Sequence, residues 1–313
     1  MMKINVIWPF FCIIVPLAFG ELKVGFYDSS CPKAESIVNK LVQNRFNRDK
    51  TITAALLRLH FHDCAVRGCD ASILINSTTS NRAEKESDTN DFVRGFDLID
   101  EVKENLESAC PSTVSCADII TLATRTAVAL SGGPKYQVPT GRRDGLVSNM
   151  DDVTIPGPAA PVSIISQFFN RNLGLTTQEM VILFGAHTVG VAHCNFFAGR
   201  LSSPDPTMDP ALEAKLVKLC RDRDAFTPLD QNTSLLVDND FYHQILAKKG
   251  VLQIDQQLAL DKSTKGFVTD LASDEAKFEK SFANAMVKMG SVNVLVGSQG
   301  EIRKKCSVFN KRS

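Results

Sequence analysis

The amino-acid sequence predicts a mostly α fold, because apolar residues recur at helical spacing in several segments, cap and stop residues bracket them, and period-two alternation is scarce. Its 313 residues are 44% hydrophobic and 22% charged, enough to bury a large core, which excludes a disordered chain or a disulfide miniprotein. The 35 basic and 35 acidic side chains cancel, so composition supplies neither the basic surface of a nucleic-acid binder nor an acidic tail. No nucleic-acid or membrane partner is expected.

Residues 1–20 read as a secretory signal: Lys3, an apolar run from Val6 to Phe19, and the small-residue ending Ala18-Phe19-Gly20. Pro9 and Pro16 interrupt that run, and neither it nor any later segment is long enough to span a membrane. Its removal takes Cys12 and the only tryptophan, Trp8, and reduces nine cysteines to eight, which permits four disulfides in an oxidising compartment. The mature chain, residues 21–313, is expected to be soluble and exported. The sequons Asn76-Ser77-Thr78 and Asn232-Thr233-Ser234 are then available for glycosylation.

A first helix is expected from Pro32, with Ile37, Val38, Leu41 and Val42 at helical spacing. A second should run from about Thr51 to Cys64, where Ile52, Ala55, Leu56 and Leu59 form one apolar stripe and Arg58 and His62 lie four apart on another. A helix apolar on so much of its surface is buried, so its Arg and His must be paired, neutral or facing a polar cavity. Thr176-Thr177-Gln178-Glu179 matches a capping box, followed by Met180, Leu183, Phe184 and His187 on one stripe. A last helix carries Phe278, Phe282, Met286 and Met289 and stops at Gly290. The loop 155–161, Ile-Pro-Gly-Pro-Ala-Ala-Pro, divides the chain into halves but is too short for a flexible tether.

Five histidines are present, and His60-Phe61-His62 invites a metal reading. Residues two apart on a helix point in nearly opposite directions, so both cannot hold one ion there. Arg58, one turn from His62, lowers the imidazole pKa by like-charge repulsion and keeps it available as a neutral base. The turn Asp63, Val66, Gly68, Asp70 and Ser72, between Cys64 and Cys69, gathers hard oxygen donors of the kind calcium selects, and residues 230–238 have the same character. Asp255 lies in the apolar run Val251-Leu252-Gln253-Ile254, where a carboxylate needs a partner such as an imidazole N–H.

The runs Arg58-Leu59-His60-Phe61-His62-Asp63-Cys64, Gly68-Cys69-Asp70-Ala71-Ser72-Ile73-Leu74, Ser115-Cys116-Ala117-Asp118-Ile119, Gly141-Arg142-Arg143-Asp144 and Gly185-Ala186-His187-Thr188 resemble the secretory class III haem peroxidases of plants. The resemblance extends over essentially all of residues 21–313, in the family's order. It implies a haem peroxidase fold, two helical halves enclosing a central haem b. His187 would be the iron ligand, with Asp255 behind it making the imidazole more electron-donating. On the opposite face Arg58, Phe61 and His62 would act on hydrogen peroxide through an oxo-iron(IV) intermediate, with Asn90 fixing the tautomer of His62. Phenolic or other small aromatic donors would then be oxidised in one-electron steps.

The same resemblance implies two calcium ions, one held by Asp63, Val66, Gly68, Asp70, Ser72 and, through water, Glu84, and one by Thr188, Asp230, Thr233, Leu236 and Asp238. It also implies disulfides Cys31–Cys110, Cys64–Cys69, Cys116–Cys306 and Cys194–Cys220, substrate contact at Pro139, a monomer, and export to the cell wall or apoplast. Residue types alone leave 105 pairings for eight cysteines. Three departures stand out. Between Asn90 and Arg94-Gly95-Phe96 the chain is one residue shorter than the family's common spacing, and Phe92 stands where serine is usual, so haem-propionate contacts there are expected to differ. Leu229 replaces a phenylalanine often found before the second calcium aspartate, so packing against His187 is expected to differ as well. With Trp8 removed, any route to a bulky polymer runs through small mediators or through Tyr27, Tyr136 or Tyr242. The competing reading is a haem- and calcium-binding wall protein that no longer turns over.

Overall fold

The computed structural model describes residues 21–311, so the signal segment expected at 1–20 lies outside the described residues. Eleven α-helices carry the described part: α1 (Ala34–Arg48), α2 (Ile52–Val66), α3 (Phe96–Ala109), α4 (Cys116–Leu130), α5 (Val162–Leu173), α6 (Thr177–Phe184), α7 (Pro210–Leu219), α8 (Asp240–Leu246), α9 (Gln253–Leu260), α10 (Lys265–Ser273) and α11 (Glu275–Met289). One small antiparallel pair, β1 (Val191–His193) with β2 (Phe226–Pro228), supplies the sheet. None of these helices is long and apolar enough to cross a membrane.

Two apolar clusters fill the interior. One joins α1, α3 and α4 through residues such as Val38, Val42, Leu98, Val102, Ile119 and Ile120, and the other joins α5 to α11. Helix α2 belongs to both. Its Ile52, Ala55, Leu56 and Leu59 enter the first, while Leu57, Cys64 and Ala65 enter the second. That double burial explains why the helix is apolar on most sides, and it leaves one strip, Ala54, Arg58 and Phe61, only half-buried.

Three helix boundaries depart from the expectation. α1 begins at Ala34, two residues after Pro32, because Cys31 to Lys33 form a turn in which Cys31 O accepts from Ala34 N. α2 continues to Val66, where the Cys64–Cys69 disulfide closes the following turn. α6 ends at Phe184, and His187 lies in a 3-10 turn, Gly185–Thr188, rather than on the helix stripe. Gly185 is the cause. A Cβ there would lie 2.5 Å from the Phe278 ring and 2.6 Å from the Tyr242 hydroxyl, so α8 and α11 press directly on the backbone and the chain tightens. The capping box at Thr176 and Glu179 forms as expected, and Phe278, Phe282, Met286 and Met289 line the buried face of α11.

The Ser-Cys-Ala-Asp and Gly-Arg-Arg-Asp motifs turn out to be scaffold. Asp118 accepts from Tyr27 Oη at 2.6 Å, Gly141 N at 2.7 Å and Arg142 Nη1 at 2.7 Å, and Arg142 also donates to the carbonyls of Pro139 and Gly290. Asp144 accepts from Ala117 N and Arg303 N, and Arg303 donates to Ala71 O and Gly145 O. Most of this buried charge is thus matched by partners, as desolvation requires, with Arg303 Nε left without a hydrogen bond. The four disulfides join the pairs that the resemblance implies, and Cys116–Cys306 ties α4 to the C-terminal segment across 190 residues.

His60 is fully enclosed between α2 and α4, with Nε2 3.4 Å from Thr121 Oγ1 and Nδ1 unpartnered. Burial, and then the charge of Arg142, lower its pKa from 6.5 to about 3. Between those values the unfolded chain binds the extra proton, so the stability contributed by neutral His60 is complete above pH 6.5 and is lost as pH falls toward 3. Replacing it (His60→Asn) should therefore cost more stability at pH 6.5 than at pH 4.5. The gap between wild type and variant in urea denaturation should narrow by up to about 1.4 kcal/mol per pH unit, whereas a gap independent of pH would show that His60 does not titrate this way.

Candidate active site and cation sites

The strip of α2 left half-buried holds the reactive candidates. Phe61 stacks on Phe169 of α5 at 5.5 Å between centroids, Phe169 meets Phe184, and Phe184 meets His187 edge-on at 5.3 Å. This row of rings forms a wall from α2 to the 3-10 turn. Toward the start of α2, a Cβ on Gly190 would come within 2.9 Å of Ala54 Cβ, so the segment after His187 touches the helix there too. Arg58 lies between these two contacts on the same strip.

His62 is buried, and its Nδ1 lies 2.7 Å from Asn90 Oδ1. The amide group of Asn90 is oriented by a second bond, in which Nδ2 donates to Glu84 O at 2.6 Å. With the amino group committed to a carbonyl, Oδ1 must face the imidazole, and His62 must donate from Nδ1. Nε2 is then the unprotonated nitrogen, and no hydrogen bond within the described residues engages it. Burial, followed by the charge of Arg58, lowers the pKa of His62 to about 3, against the hydrogen bond to Asn90, which raises it. Arg58 donates to Asp91 O at 2.8 Å and Thr89 O at 3.1 Å, the carbonyls flanking Asn90. The turn around Asn90 therefore positions both side chains. Within that turn Phe92 has a φ of 63°, in the left-handed region.

On the other side, His187 Nδ1 donates to Asp255 Oδ1 at 2.8 Å, and Asp255 is buried in the first turn of α9, where backbone N–H groups favour an anion. Again Nε2 is left without a hydrogen-bond partner among the described residues. Phe184 and Phe241 pack edge-on against the imidazole, Phe241 at 5.9 Å. An imidazole with Nε2 free, Nδ1 engaged by a carboxylate and apolar rings around it suits a metal-bearing cofactor. His60 and His62 lie two apart on helix α2 and point to different sides, His60 toward Thr121 and the Cys64–Cys69 disulfide and His62 toward Asn90, so the pair does not converge on one ion.

Beside His62 a buried oxygen cluster lacks partners. Asp63 Oδ1, Ser72 Oγ and both carboxylate oxygens of Glu84 make no hydrogen bond. Asp63 Oδ2 and Asp70 Oδ1 accept only from the backbone N–H groups of Ala71 and Ser72. Burial pushes the Glu84 carboxyl up to about 8, and the carboxyls of Asp63 and Asp70 also rise, chiefly through burial. Val66 and Gly68 lie on the same turn, and Gly68 has a φ of 99° where a Cβ would strike Asn293. Such a set is costly without a cation. After His187, Thr188 Oγ1 lies 3.1 Å from Asp230 Oδ2 and 2.8 Å from Asp238 Oδ1, and Thr233 Oγ1 approaches the same two oxygens at 3.2 and 3.1 Å. Each hydroxyl has one proton for two carboxylates, so this cluster is also short of positive charge. Leu236 closes its turn by donating N–H to Thr233 O at 2.7 Å.

With this geometry established, the peroxidase family model matches residues 38–274 of the chain. Peroxidase 44 of Arabidopsis thaliana is 53% identical over 312 residues, covering 99% of this chain and 100% of that protein. Peroxidase 57 of the same organism is 55% identical over 304 residues, 95% of each chain, and Peroxidase 28 is 52% identical over 308 residues. The chain belongs to the class III peroxidase family. It is a peroxidase, and membership of the family implies haem and a reaction with hydrogen peroxide.

Within this peroxidase, Pro139 is half-buried and tied through its carbonyl to Arg142, outside the hydrogen-bonded set around His62. Asn76 and Asn232 are exposed, Asn76 Oδ1 accepting from Lys85 Nζ. Sequence reasoning missed the ring wall of Phe169, Phe184 and Phe241. It also missed the stacking of Phe92 on His193. Local spacing carries no signal for contacts so far apart along the chain.

Proposed function

We propose that this peroxidase uses haem b bound through His187 Nε2 to reduce hydrogen peroxide to water, while phenolic or other small aromatic donors lose one electron each. The carrying observation is the pair of imidazoles whose Nδ1 atoms are both engaged, His62 by Asn90 and His187 by Asp255, so that both rings present Nε2. When bound, haem supplies an iron that takes up the oxidising equivalents of peroxide and passes them to donors one at a time. The overall balance is one peroxide and two donors giving two waters and two donor radicals, each donor losing one electron and one proton.

The residues of the chain divide the proton work. His62 Nε2 takes the proton from one peroxide oxygen and delivers it to the other, which leaves as water. A pKa as low as about 3 suits this shuttle, since the ring is neutral when peroxide arrives. Arg58, held by two carbonyls, places a fixed positive charge beside the breaking O–O bond. Phe61 and its stacked neighbour Phe169 keep water from the pocket wall. Asp255 draws on the Nδ1 proton of His187 and makes Nε2 more electron-donating.

Asp63, Val66, Gly68, Asp70, Ser72 and Glu84 would hold one Ca2+, and Thr188, Asp230, Thr233, Leu236 and Asp238 a second. Each set follows a functional histidine directly, Asp63 after His62 and Thr188 after His187, so the ions would hold both histidines in register. The eight paired cysteines accord with secretion to the cell wall or apoplast, where disulfides persist. Tyr27 and Tyr242 are buried and Tyr136 is partly covered, which favours small mediators over a tyrosine route to bulky polymers.

An absorption spectrum of the purified protein before and after one equivalent of peroxide, followed by guaiacol oxidation, tests the reading. A haem spectrum that peroxide leaves unchanged would instead support a silent binding protein. Replacing the shuttle (His62→Leu) should slow the peroxide step by at least roughly 10²- to 10⁴-fold with the haem spectrum retained, and Asn90→Val, which frees the tautomer, should slow it by about 10- to 100-fold. Equal rates in all three proteins would refute the shuttle. Chelator treatment should release two Ca2+, lower the melting temperature and depress turnover, with recovery on adding Ca2+ back. Unchanged turnover and spectrum after the metal is removed would show that the ions do not maintain the register.

A further inference from the structure

Tyr242 of α8 is wholly buried, and its hydroxyl reaches a different helix. Oη donates to Val181 O at 3.0 Å and to Ile182 O at 3.1 Å. Both carbonyls lie in the last turn of α6, among those that an α-helix leaves without an internal donor. In a continuing α-helix Val181 O would accept from Gly185 N, four residues on. Gly185 N donates instead to Ile182 O, three residues back, which is the 3-10 pattern. The tyrosine hydroxyl therefore stands in for the donor that Val181 O loses, and its one proton is shared with Ile182 O.

This switch from α to 3-10 geometry opens the turn Gly185–Thr188, which carries His187. An α-helix turns about 100° and rises about 1.5 Å per residue, a 3-10 helix about 120° and about 2.0 Å. Over the three residues from Gly185 to His187 the difference amounts to about 60° of rotation and about 1.5 Å of translation. A change of that size would carry His187 Nδ1 out of its 2.8 Å hydrogen bond to Asp255 Oδ1. Phe241 and Tyr242, neighbours on α8, thus act on two parts of one segment: Phe241 packs on the imidazole, and Tyr242 bears on the backbone at Gly185. The Tyr242 ring is itself clamped by Phe241 at 5.2 Å and Phe278 at 5.6 Å, so its hydroxyl has a fixed place.

We propose that Tyr242 is a positioning residue for the iron ligand: its hydroxyl holds the end of α6 in 3-10 geometry and so sets the orientation in which His187 meets Asp255 and the haem. The proposal rests on His187 being that ligand. The role belongs to the hydroxyl, because a phenylalanine would keep the ring packing and lose only the donor. Val181 O would then be buried and unpaired, and the nearest repair is for Gly185 N to return to it, which prolongs α6 and turns His187 away from Asp255.

The test compares the haem-containing wild type with Tyr242→Phe and with Tyr27→Phe, which also loses a buried hydroxyl, the one donated to Asp118. Tyr242→Phe should lower the iron–histidine stretching frequency in the resonance Raman spectrum of the ferrous protein and raise the iron reduction potential. It should also slow the peroxide step about 10-fold, the low end for loss of a group that orients a metal ligand. Tyr27→Phe should lower the melting temperature and leave frequency, potential and rate unchanged. Unshifted frequency and potential in Tyr242→Phe, or equal shifts in both variants, would overturn the proposal. Should Tyr242→Phe fail to fold, Gly185→Ala, whose Cβ would lie 2.6 Å from the hydroxyl and displace it, decides by the same readouts. A wild type without histidine-ligated haem would count against the proposed function instead. Crystal structures of wild type and Tyr242→Phe would still decide the role of the hydroxyl: α6 running on past Phe184 in the variant supports it, and an unchanged 3-10 turn overturns it.

Discussion

Burial of α2 on two sides at once is the constraint from which the site follows. One flank enters the cluster built with α1, α3 and α4, the other enters the cluster of α5 to α11, and neither can rotate the helix without exposing Leu56 and Leu59 or Leu57 and Ala65. Exposing any one of these leucines would forfeit about 1.5 to 3 kcal/mol. The half-open strip of Ala54, Arg58 and Phe61 is thereby aimed in one direction, and His62 is carried along at its edge. A permanent charge and a base can be kept on a buried helix only because packing elsewhere prevents them from turning toward water.

The imidazoles of His62 and His187 are held by the same nitrogen but by acceptors of opposite character. His62 leans on a neutral amide, which fixes the tautomer and raises the proton affinity of the ring only modestly. His187 leans on a buried carboxylate, which pulls on the Nδ1 proton and enriches the ring with electron density. Exchanging the acceptors would exchange the chemistry: a carboxylate beside His62 would favour the charged ring and remove the vacant base, while an amide beside His187 would leave a poorer electron donor. The division of labour therefore resides as much in Asn90 and Asp255 as in the histidines.

The helices were legible wherever the apolar spacing was regular, as in α2 and in the Phe278 to Met289 series, and so was the capping box that starts α6. The placement of His187 was not, because its 3-10 turn is imposed by Phe278 and Tyr242 closing on Gly185 from distant parts of the chain. Arg58, His62 and Asp255 could be singled out because charge in an apolar context demands a partner. The partners themselves were less visible: the link from Asn90 to His62 came only through resemblance, and that from Phe92 to His193 left no local trace. Buried Arg142 shows the opposite case, part of a motif prominent in sequence whose work is to hold Asp118 and satisfy backbone carbonyls.

The turn after Asn90 joins these themes. The chain reaches Arg94 by bending through a left-handed Phe92, a conformation that a bulky side chain adopts at a cost of order 1 to 3 kcal/mol. Stacking on His193 offsets part of that cost and fastens the turn to the strand that follows His187. The same turn supplies Asn90 Oδ1 to His62 and two carbonyls to Arg58. A ring contact at the surface is thus in mechanical series with the base and the guanidinium. Phe92 therefore acts as a clasp between the turn that carries Asn90 and the strand that follows His187.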